Sequence, residues 1–297
     1  MNKDDAKKGF ILTVLGGIAW GFSGTCGQYI FTKQTLSPEW MTVVRMIISG
    51  PLLLLITIKK QKEDYLRLLK NKKDILILVA FAVFGVLLCQ LTYLKAIFYT
   101  NSGTATVLQY TGPVFILIFI CLKSRQLPTK IEFLSILLAV SGIFLLATHG
   151  NLSTLVISKE GLFWGLMSAL GLSTYTLIPK GLLHKYGSAV TMSTGIIISG
   201  IIAFFLLRFW CMDFTLDTGT VFAACGVVFI GTLLSFLMYM EGVKLIGPVK
   251  ASMLASVEPF SATVFSVVWM GTQFMYIDII GFIFILSTIF LLAREKQ

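Results

Sequence analysis

The sequence predicts an all-α integral membrane protein with ten transmembrane helices, arranged as two inverted five-helix repeats with both termini in the cytoplasm. Composition, the spacing of charged residues and a repeated sequence pattern lead to this prediction. Apolar residues make up 56% of the 297 residues and charged residues only 13%, whereas a soluble domain carries about 25% charged residues. The mean hydropathy is +0.88. This composition excludes a soluble globule, a disordered chain and a collagen-like fibre.

Long stretches without Asp, Glu, Lys or Arg define the spans. The stretch Gly9–Thr32 has 24 residues and Ala96–Leu122 has 27, and a helix needs about 20 apolar residues to cross ~30 Å of hydrocarbon. Because the backbone in lipid must satisfy its own hydrogen bonds, the spans are expected to be helices. The predicted spans are residues 10–31, 40–58, 75–98, 103–122, 132–148, 161–179, 187–207, 219–240, 249–270 and 277–293.

The placement of lysine and arginine predicts the orientation. With the N-terminus inside, 19 of the 24 basic residues fall in cytoplasmic segments, as the positive-inside rule requires. We therefore expect a multi-pass protein of the cytoplasmic membrane. The net charge of +10 is explained by contact with anionic lipid headgroups and does not indicate a nucleic-acid partner. The basic stretch 59–74 is interpreted either as an amphipathic surface helix or as a solvated loop.

The five cysteines show no paired spacing and no metal-binding spacing. We interpret them as small buried apolar residues. They are Cys26, Cys89, Cys121, Cys211 and Cys225.

The two halves of the chain share a pattern. A Trp-Gly dipeptide at Trp20 recurs at Trp164, 144 residues later. Tyr93 and Tyr239 are 146 residues apart, and each is followed by a proline 20 residues later. Two matches at nearly the same offset predict a duplication.

The predicted duplication gives a first repeat at residues 9–148, an extracytoplasmic linker at 149–160 and a second repeat at 161–293. Each repeat has five spans, so the second repeat must enter the membrane from the opposite side. Inverted repeats of this kind occur in transporters, which bind substrate near the bilayer midplane between the halves.

These features resemble the EamA family of the drug/metabolite transporter superfamily. The resemblance rests on the inverted duplication, the Trp-Gly pairs, Arg45 in the second span and the tyrosine-to-proline spacing, and it covers about residues 10–293. It implies export or exchange of small metabolites, often amino acids or related compounds. Many members carry a Gly-Glu pair after the fourth helix of each repeat. Here the segments 123–126 and 271–274 lack the glutamate, so no role of that residue is carried over.

Two charged residues lie inside predicted spans. Arg45 is about six residues into its span, or ~9 Å deep at helical rise, where a charge usually faces a cavity or a partner. It is interpreted either as a residue that binds a substrate carboxylate, or as one that snorkels to the outer headgroups or bonds to backbone carbonyls. Glu258 lies about nine residues into the ninth span. It is interpreted either as a proton carrier or as a residue that stabilises a kinked backbone.

The candidate site residues combine these charges with aromatic and amide side chains. For the aromatic residues, the alternative is an interfacial belt. The candidates for substrate binding and translocation are Trp20, Arg45, Tyr93, Gln109, Tyr110, Trp164, Tyr175, Tyr239 and Glu258; the helix-kink candidates are Pro113 and Pro259; the gate candidates are Lys95 and Glu241.

No catalytic constellation accompanies these residues. The sequence has no H-E-x-x-H, no G-x-S-x-G and no Walker loop, so we expect no enzymatic activity, cofactor or metal. It predicts a secondary transporter that exports small organic metabolites, amino acids or related compounds, by alternating access. The expected partners are a small-molecule substrate and the lipid bilayer. An importer of sugars or other metabolites, an intramembrane enzyme and a non-transporting membrane protein are the alternatives. The oligomeric state is left open, a monomer included.

Overall fold

The computed structural model describes residues 3–33, 35–151 and 155–295, and within them the chain is helical with no β-strand. The helices are α1 (Lys3–Thr32), α2 (Pro38–Lys70), α3 (Lys72–Ala80), α4 (Leu88–Tyr99), α5 (Ser102–Gln109), α6 (Gly112–Ser124), α7 (Lys130–Thr148), α8 (Lys159–Leu177), α9 (Lys180–Leu206), α10 (Thr218–Cys225), α11 (Ser235–Ile246), α12 (Pro248–Ala255), α13 (Val257–Met270) and α14 (Tyr276–Glu295).

Seven helical segments in the described part of the chain are long and apolar enough to cross a membrane. Two shorter helices, Val257–Met270 and Tyr276–Leu292, are also apolar. The helices carry large exposed apolar side chains such as Phe222 and Val268, as a lipid-facing surface requires. The fold is thus that of a helical membrane protein, while ten spans and cytoplasmic termini stay predictions. The seven segments are Asp5–Thr32, Pro38–Lys70, Lys72–Tyr99, Ser102–Ser124, Lys130–Thr148, Lys180–Leu206 and Thr218–Ile246.

Two long helices contain π-helical stretches. Phe81–Leu87 joins α3 to α4, and Gly226–Leu234 joins α10 to α11. The two stretches occupy matching positions at the 146-residue offset of the repeat. π-Helical turns are rare and often occur at functional sites.

Two other segments are broken where the sequence has its predicted kink prolines. α5 ends three residues before α6 begins, and α12 ends two residues before α13. Pro113 and Pro259 lie in the first turn of α6 and α13, where a proline costs no helical hydrogen bond. Each proline therefore follows a break in the backbone instead of bending a continuous helix.

The principal packing pairs join one half of the chain to the other. α1 packs against α11 and α13, α4 against α8, α2 against α9, and α7 against α14. Small residues permit the closest of these contacts. A Cβ atom on Gly21 would lie 2.6 Å from the backbone nitrogen of Ala262, and one on Gly171 would lie 2.7 Å from the Cα atom of Cys89. Close approach through small residues is the usual means of helix association in lipid.

The basic stretch after the second span is helical. α2 continues to Lys70, with non-helical φ and ψ angles at Gln61. Tyr65 and Leu68 are buried, while most of the basic residues between them and around them are exposed. The amphipathic helix is therefore the interpretation that fits, and the solvated loop is wrong.

The prediction that all five cysteines are buried is wrong for two of them. Cys26 and Cys89 are buried and Cys121 is partly buried, but Cys211 and Cys225 are exposed. A charge-free stretch shows that a segment is apolar without showing which face packs inward. Cys225 lies on an outward face, and Cys211 ends a short 3₁₀ turn between α9 and α10.

Candidate functional site

A cavity of about 450 Å³ lies between the two halves of the chain. Its walls include both π-helical stretches and both helix breaks. Its volume falls within the range of about 300–1,000 Å³ that is typical of small-molecule sites. The predicted site residues that line it are Trp20, Arg45, Tyr93, Gln109, Tyr110, Pro113, Tyr175, Tyr239 and Glu258.

Arg45 is buried and held by three acceptors. Its Nε donates to the hydroxyl of Thr232 (2.7 Å), Nη1 to Oε1 of Gln90 (2.7 Å) and Nη2 to the carbonyl oxygen of Gly231 (3.3 Å). A residue that snorkels would reach the surface, and Arg45 does not. The bond to Gly231 is one of the backbone contacts considered above. It satisfies a carbonyl of the second π-helical stretch, where the regular helical hydrogen-bond pattern is interrupted.

Glu258 faces the same cavity from the first turn of α13. The hydroxyl of Tyr110 donates to its Oε2 (2.9 Å) and lies 3.3 Å from the carbonyl oxygen of Ala255. The carboxylate stands at the N-terminal end of α13, where the helix dipole favours a negative charge. Two helix breaks, one from each half, thus meet at this hydrogen bond.

Arg45 and Glu258 present a guanidinium and a carboxyl group to one cavity without pairing with each other. Within the described residues, neither side chain takes part in a salt bridge of 4.0 Å or less. Charges away from water are costly unless they are paired. The cavity is therefore lined by a guanidinium and, separately, by a carboxyl group.

Aromatic rings form part of the apolar lining of the cavity. The rings of Trp20 and Tyr239 lie 5.3 Å apart, and the ring of Tyr175 lies 5.5 Å from that of Phe81. The hydroxyl of Tyr93 bonds to Thr106 (2.8 Å), which fixes the position of its ring. These rings give the cavity flat apolar surfaces beside its two charges.

The remaining predicted residues lie elsewhere. Trp164 is not among the residues that line the cavity; the Nζ atom of Lys95 stands 4.4 Å from the centre of its ring. Lys95 also forms a salt bridge with Glu39 (2.7 Å). Glu241 lies on α11, 3.8 Å from Lys244. The structure does not bring the two gate candidates together.

Sequence reasoning missed several residues of the cavity. Gln90 and Thr232 hold Arg45, and Cys89 accepts a hydrogen bond from Gln109 (3.5 Å). A signal for two of them was present. Gln90 lies one helical turn before Tyr93, and Thr232 lies seven residues before Tyr239. Each polar side chain therefore shares a helix face with a predicted site residue.

The described residues offer no cluster of three or more His, Cys, Asp or Glu side chains placed to hold a metal ion. The groups around the cavity are a guanidinium, a carboxylate, amides, hydroxyls and aromatic rings. Such groups recognise an organic ligand by hydrogen bonds, charge and apolar contact.

Known proteins are similar to this sequence along most of its length. The model of the EamA-like transporter family matches residues 7–148 and again residues 159–294. The uncharacterized inner membrane transporter YicL of Salmonella typhimurium is 36% identical over 295 residues, which cover 98% of this chain and 97% of that protein. An uncharacterized transporter of Clostridium kluyveri is 25% identical over 288 residues, covering 94% and 91%.

One solved crystal structure has a similar fold. Its TM-score is 0.60 at 13% sequence identity, and the match covers 100% of both chains. At this identity the likeness concerns the fold alone.

Proposed function

The chain belongs to the EamA-like transporter family, and from this premise we propose that it is a secondary transporter of small organic metabolites, amino acids or related compounds, which it exports by alternating access. The observation that carries the choice of cargo is the pair of separate opposite charges in one cavity, Arg45 and Glu258. A zwitterion neutralises both at once.

The Arg45 side of the cavity suits a carboxylate. The guanidinium of Arg45 has five N–H donors in a planar fork, and three of its contacts are to neutral acceptors. A carboxylate forms stronger, bidentate hydrogen bonds with a guanidinium than neutral groups do. A cargo carboxylate would therefore compete well for this side chain.

The Glu258 side of the cavity suits an ammonium group. Glu258 receives a hydrogen bond from Tyr110, and further lone pairs of its carboxylate remain for a cationic donor. The rings of Trp20 and Tyr239 offer an apolar surface for the side chain of the cargo. Glu258 is also our candidate for a proton carrier, since a carboxylate in the path can exchange cargo for a proton.

Two inverted repeats would supply the alternating access. We propose ten spans, with repeats at residues 9–148 and 161–293, a linker at 149–160 outside and both termini inside. Three findings support this arrangement. The family model matches twice, and the π-helical stretches recur at one offset. The packing of α1 against α11 in one direction corresponds to the packing of α8 against α4 in the other, as a pair of equivalent repeats requires. Two similar halves of opposite orientation can exchange conformations, which would expose the cavity to each side in turn.

Counterflow in proteoliposomes tests the proposal. The purified chain is reconstituted, and uptake of radiolabelled leucine is driven by unlabelled leucine. The same assay is run with 3-methylbutylamine, which lacks the carboxylate, and with 4-methylpentanoate, which lacks the ammonium. We expect counterflow with leucine and at least about tenfold less with each analogue, since each loses one charge-assisted hydrogen bond. Equal counterflow of all three compounds, or none with a panel of amino acids, would contradict the proposed cargo.

A further inference from the structure

We propose that a buried polar cluster is the gate that closes the central cavity at one end, and that the opposite end is open in this structure. The cluster consists of Gln28, Ser102, Ser266 and Thr272, and we call it the Gln28 latch. The inference rests on the proposed function, because a gate has a role only in a protein that opens to two sides.

The latch is a closed network around one amide side chain. Oε1 of Gln28 accepts hydrogen bonds from the backbone N–H of Ser102 (2.9 Å), its hydroxyl (2.9 Å) and the hydroxyl of Ser266 (2.8 Å). Nε2 of Gln28 donates to the hydroxyl of Thr272 (2.9 Å), which also bonds to Ser266 (2.7 Å). Ser102 and Ser266 are 0% exposed and Gln28 is 9% exposed. Thr272 is partly exposed, so water has little access to the other three side chains.

The latch joins elements that come from both halves of the chain. Gln28 belongs to α1, Ser102 begins α5, Ser266 belongs to α13 and Thr272 follows it. Any motion that opens a passage between these elements must break several buried hydrogen bonds. The latch is thus placed to hold the elements together until another interaction compensates for that loss.

The latch lies to one side of the cavity along all three helices. In each helix, a latch residue is seven or eight residues from a cavity residue, which is about 10–12 Å at helical rise. The latch residue and the cavity residue are Gln28 and Trp20 in α1, Ser102 and Gln109 in α5, and Ser266 and Glu258 in α13.

Salt bridges tie the same end of the molecule. Lys33 follows α1 and pairs with Asp217 before α10 (2.9 Å), and Lys95 near the end of α4 pairs with Glu39 at the start of α2 (2.7 Å). These pairs are partly or largely exposed, so each contributes little by itself. Together with the buried latch they close this end, which we call the latch end.

Two positions of the latch have no polar counterpart at the opposite end, although other hydrogen bonds join the halves there, such as that between Tyr65 and Ser193 (2.7 Å). At the offsets of the repeat, the position of Gln28 corresponds to Leu172 and that of Ser266 to Ile120. Both are apolar; Leu172 lines the cavity, and Ile120 is 43% exposed. Neither side chain has a group that could form a matching hydrogen bond.

At the opposite end, a residue that lines the cavity is exposed. Thr176, next to the last residue of α8, lines the cavity and is exposed. The other end of α8 lies at the latch end, because a Cβ atom on Gly161 would meet the side chain of Thr100, two residues before the latch residue Ser102. In this proposal the cavity is closed at the latch end and open where α8 ends. In the proposed orientation the open end is cytoplasmic.

A native cysteine inside the cavity allows a direct test. Cys89 lines the cavity, so we keep it as a reporter and replace the other four cysteines with serine. In sealed proteoliposomes of defined orientation, MTSET, a small membrane-impermeant thiol reagent, is applied from either side. Two reference variants without Cys89 mark the sides. One retains Cys211, in the exposed segment at the latch end, and the other carries Ser124→Cys at the exposed end of α6.

The expected result is modification of Cys89 from the Ser124 side only. Gln28→Leu removes the central amide and Ser266→Ala removes one hydroxyl. We expect Gln28→Leu to raise the rate of modification from the Cys211 side about tenfold, since it removes several buried hydrogen bonds, and Ser266→Ala to raise it less. Thr288→Val is the matched control, because Thr288 is equally buried but bonds only within its own helix.

Two results would overturn the inference. One is that both latch variants show no faster modification of Cys89 from the Cys211 side, although they are folded and are still modified from the Ser124 side. The other is modification of Cys89 from the Cys211 side in the chain with an intact latch. Failure of the proposed function would give a different result. The latch variants would still allow Cys89 to be modified from the Cys211 side, but no cargo would show counterflow.

Discussion

The hydroxyl of Tyr110 donates a hydrogen bond to the carboxylate of Glu258, with 2.9 Å between the oxygens. The tyrosine stands at the break between α5 and α6, and the glutamate at the start of α13. The hydrogen bond therefore joins an irregular segment of the first half to one of the second half. A cargo that binds Glu258 would act on both halves through this contact.

Glu258→Gln should reduce leucine counterflow at least about tenfold. The amide keeps the shape of the side chain and can accept the Tyr110 hydrogen bond, but it has no charge for an ammonium group, which loses a charge-assisted interaction. Counterflow is compared with that of Glu160→Gln, which removes a carboxylate from an exposed position in the first turn of α8. Equal loss in both variants, or none in either, would argue against an ammonium contact at Glu258.

Arg45→Lys should impair both stability and transport. A lysine keeps the positive charge, but its ammonium cannot reach Thr232, Gln90 and Gly231 in the planar geometry of the guanidinium. We expect a loss of about 1–3 kcal/mol in the free energy of unfolding, measured by thermal or denaturant unfolding in detergent, and weaker leucine binding. Arg125→Lys, at an exposed turn, is the control. Unchanged unfolding of the Arg45 variant would contradict the structural role.

Gly21→Ala should destabilise the protein, whereas Gly27→Ala on the same helix should not. The new Cβ atom at position 21 would lie 2.6 Å from a backbone nitrogen of α13, while at position 27 the nearest side-chain atom is 3.6 Å away. Alanine is favoured over glycine in a helix by about 1 kcal/mol, so Gly27→Ala is expected to be neutral or stabilising. Unfolding midpoints of the two variants check this. Equal midpoints would show that α1 and α13 can separate at no cost.

The salt bridge between Lys33 and Asp217 at the latch end should stabilise the folded protein to an extent that depends on pH. Hydrogen bonds from Thr220 and the salt bridge with Lys33 hold the pKa of Asp217 below its usual range. Its folded-state pKa is thus lower than its unfolded pKa of about 3.9. The stabilisation is fully present above that value and is lost as the pH falls through the folded pKa.

The variant Asp217→Asn tests this pH dependence. Its unfolding midpoint should lie below that of the unaltered chain by a constant amount between about pH 5 and 8, and the difference should close well below pH 4. Because the carboxylate is exposed, high salt should reduce the difference. A difference that grows as the pH falls from 8 to 5 would contradict this assignment.

Much of the fold follows from the sequence because lipid restricts the possibilities. Charge-free stretches long enough to span a bilayer must be helical, and the helices lie where these stretches predict them. The interruptions were not predictable in the same way. The two π-helical stretches lie inside charge-free runs such as 75–94, where no residue type indicates a change of helical pitch.

The sequence predicts those cavity residues whose polarity alone disfavours contact with lipid. Arg45 and Glu258 are too polar for lipid, and both line the cavity. Trp164 was proposed because it matches Trp20 in the repeat. Trp20 is the eighteenth residue of α1, whereas Trp164 is the sixth residue of α8 and packs beside Lys95. Equivalent positions in two halves need not lie at the same depth, and a lysine near the helix end provides a different neighbour.

The π-helical stretch before α4 also sets the rotation of everything that follows it. One residue corresponds to about 100° of helical turn, so removing a single residue from Phe81–Leu87 would rotate α4 by roughly that angle. Cys89, Gln90 and Tyr93 would then point away from the cavity that they line, although none of them had been replaced. The cavity is encoded in the number of residues as much as in their identity, and a scan of point substitutions would not detect this.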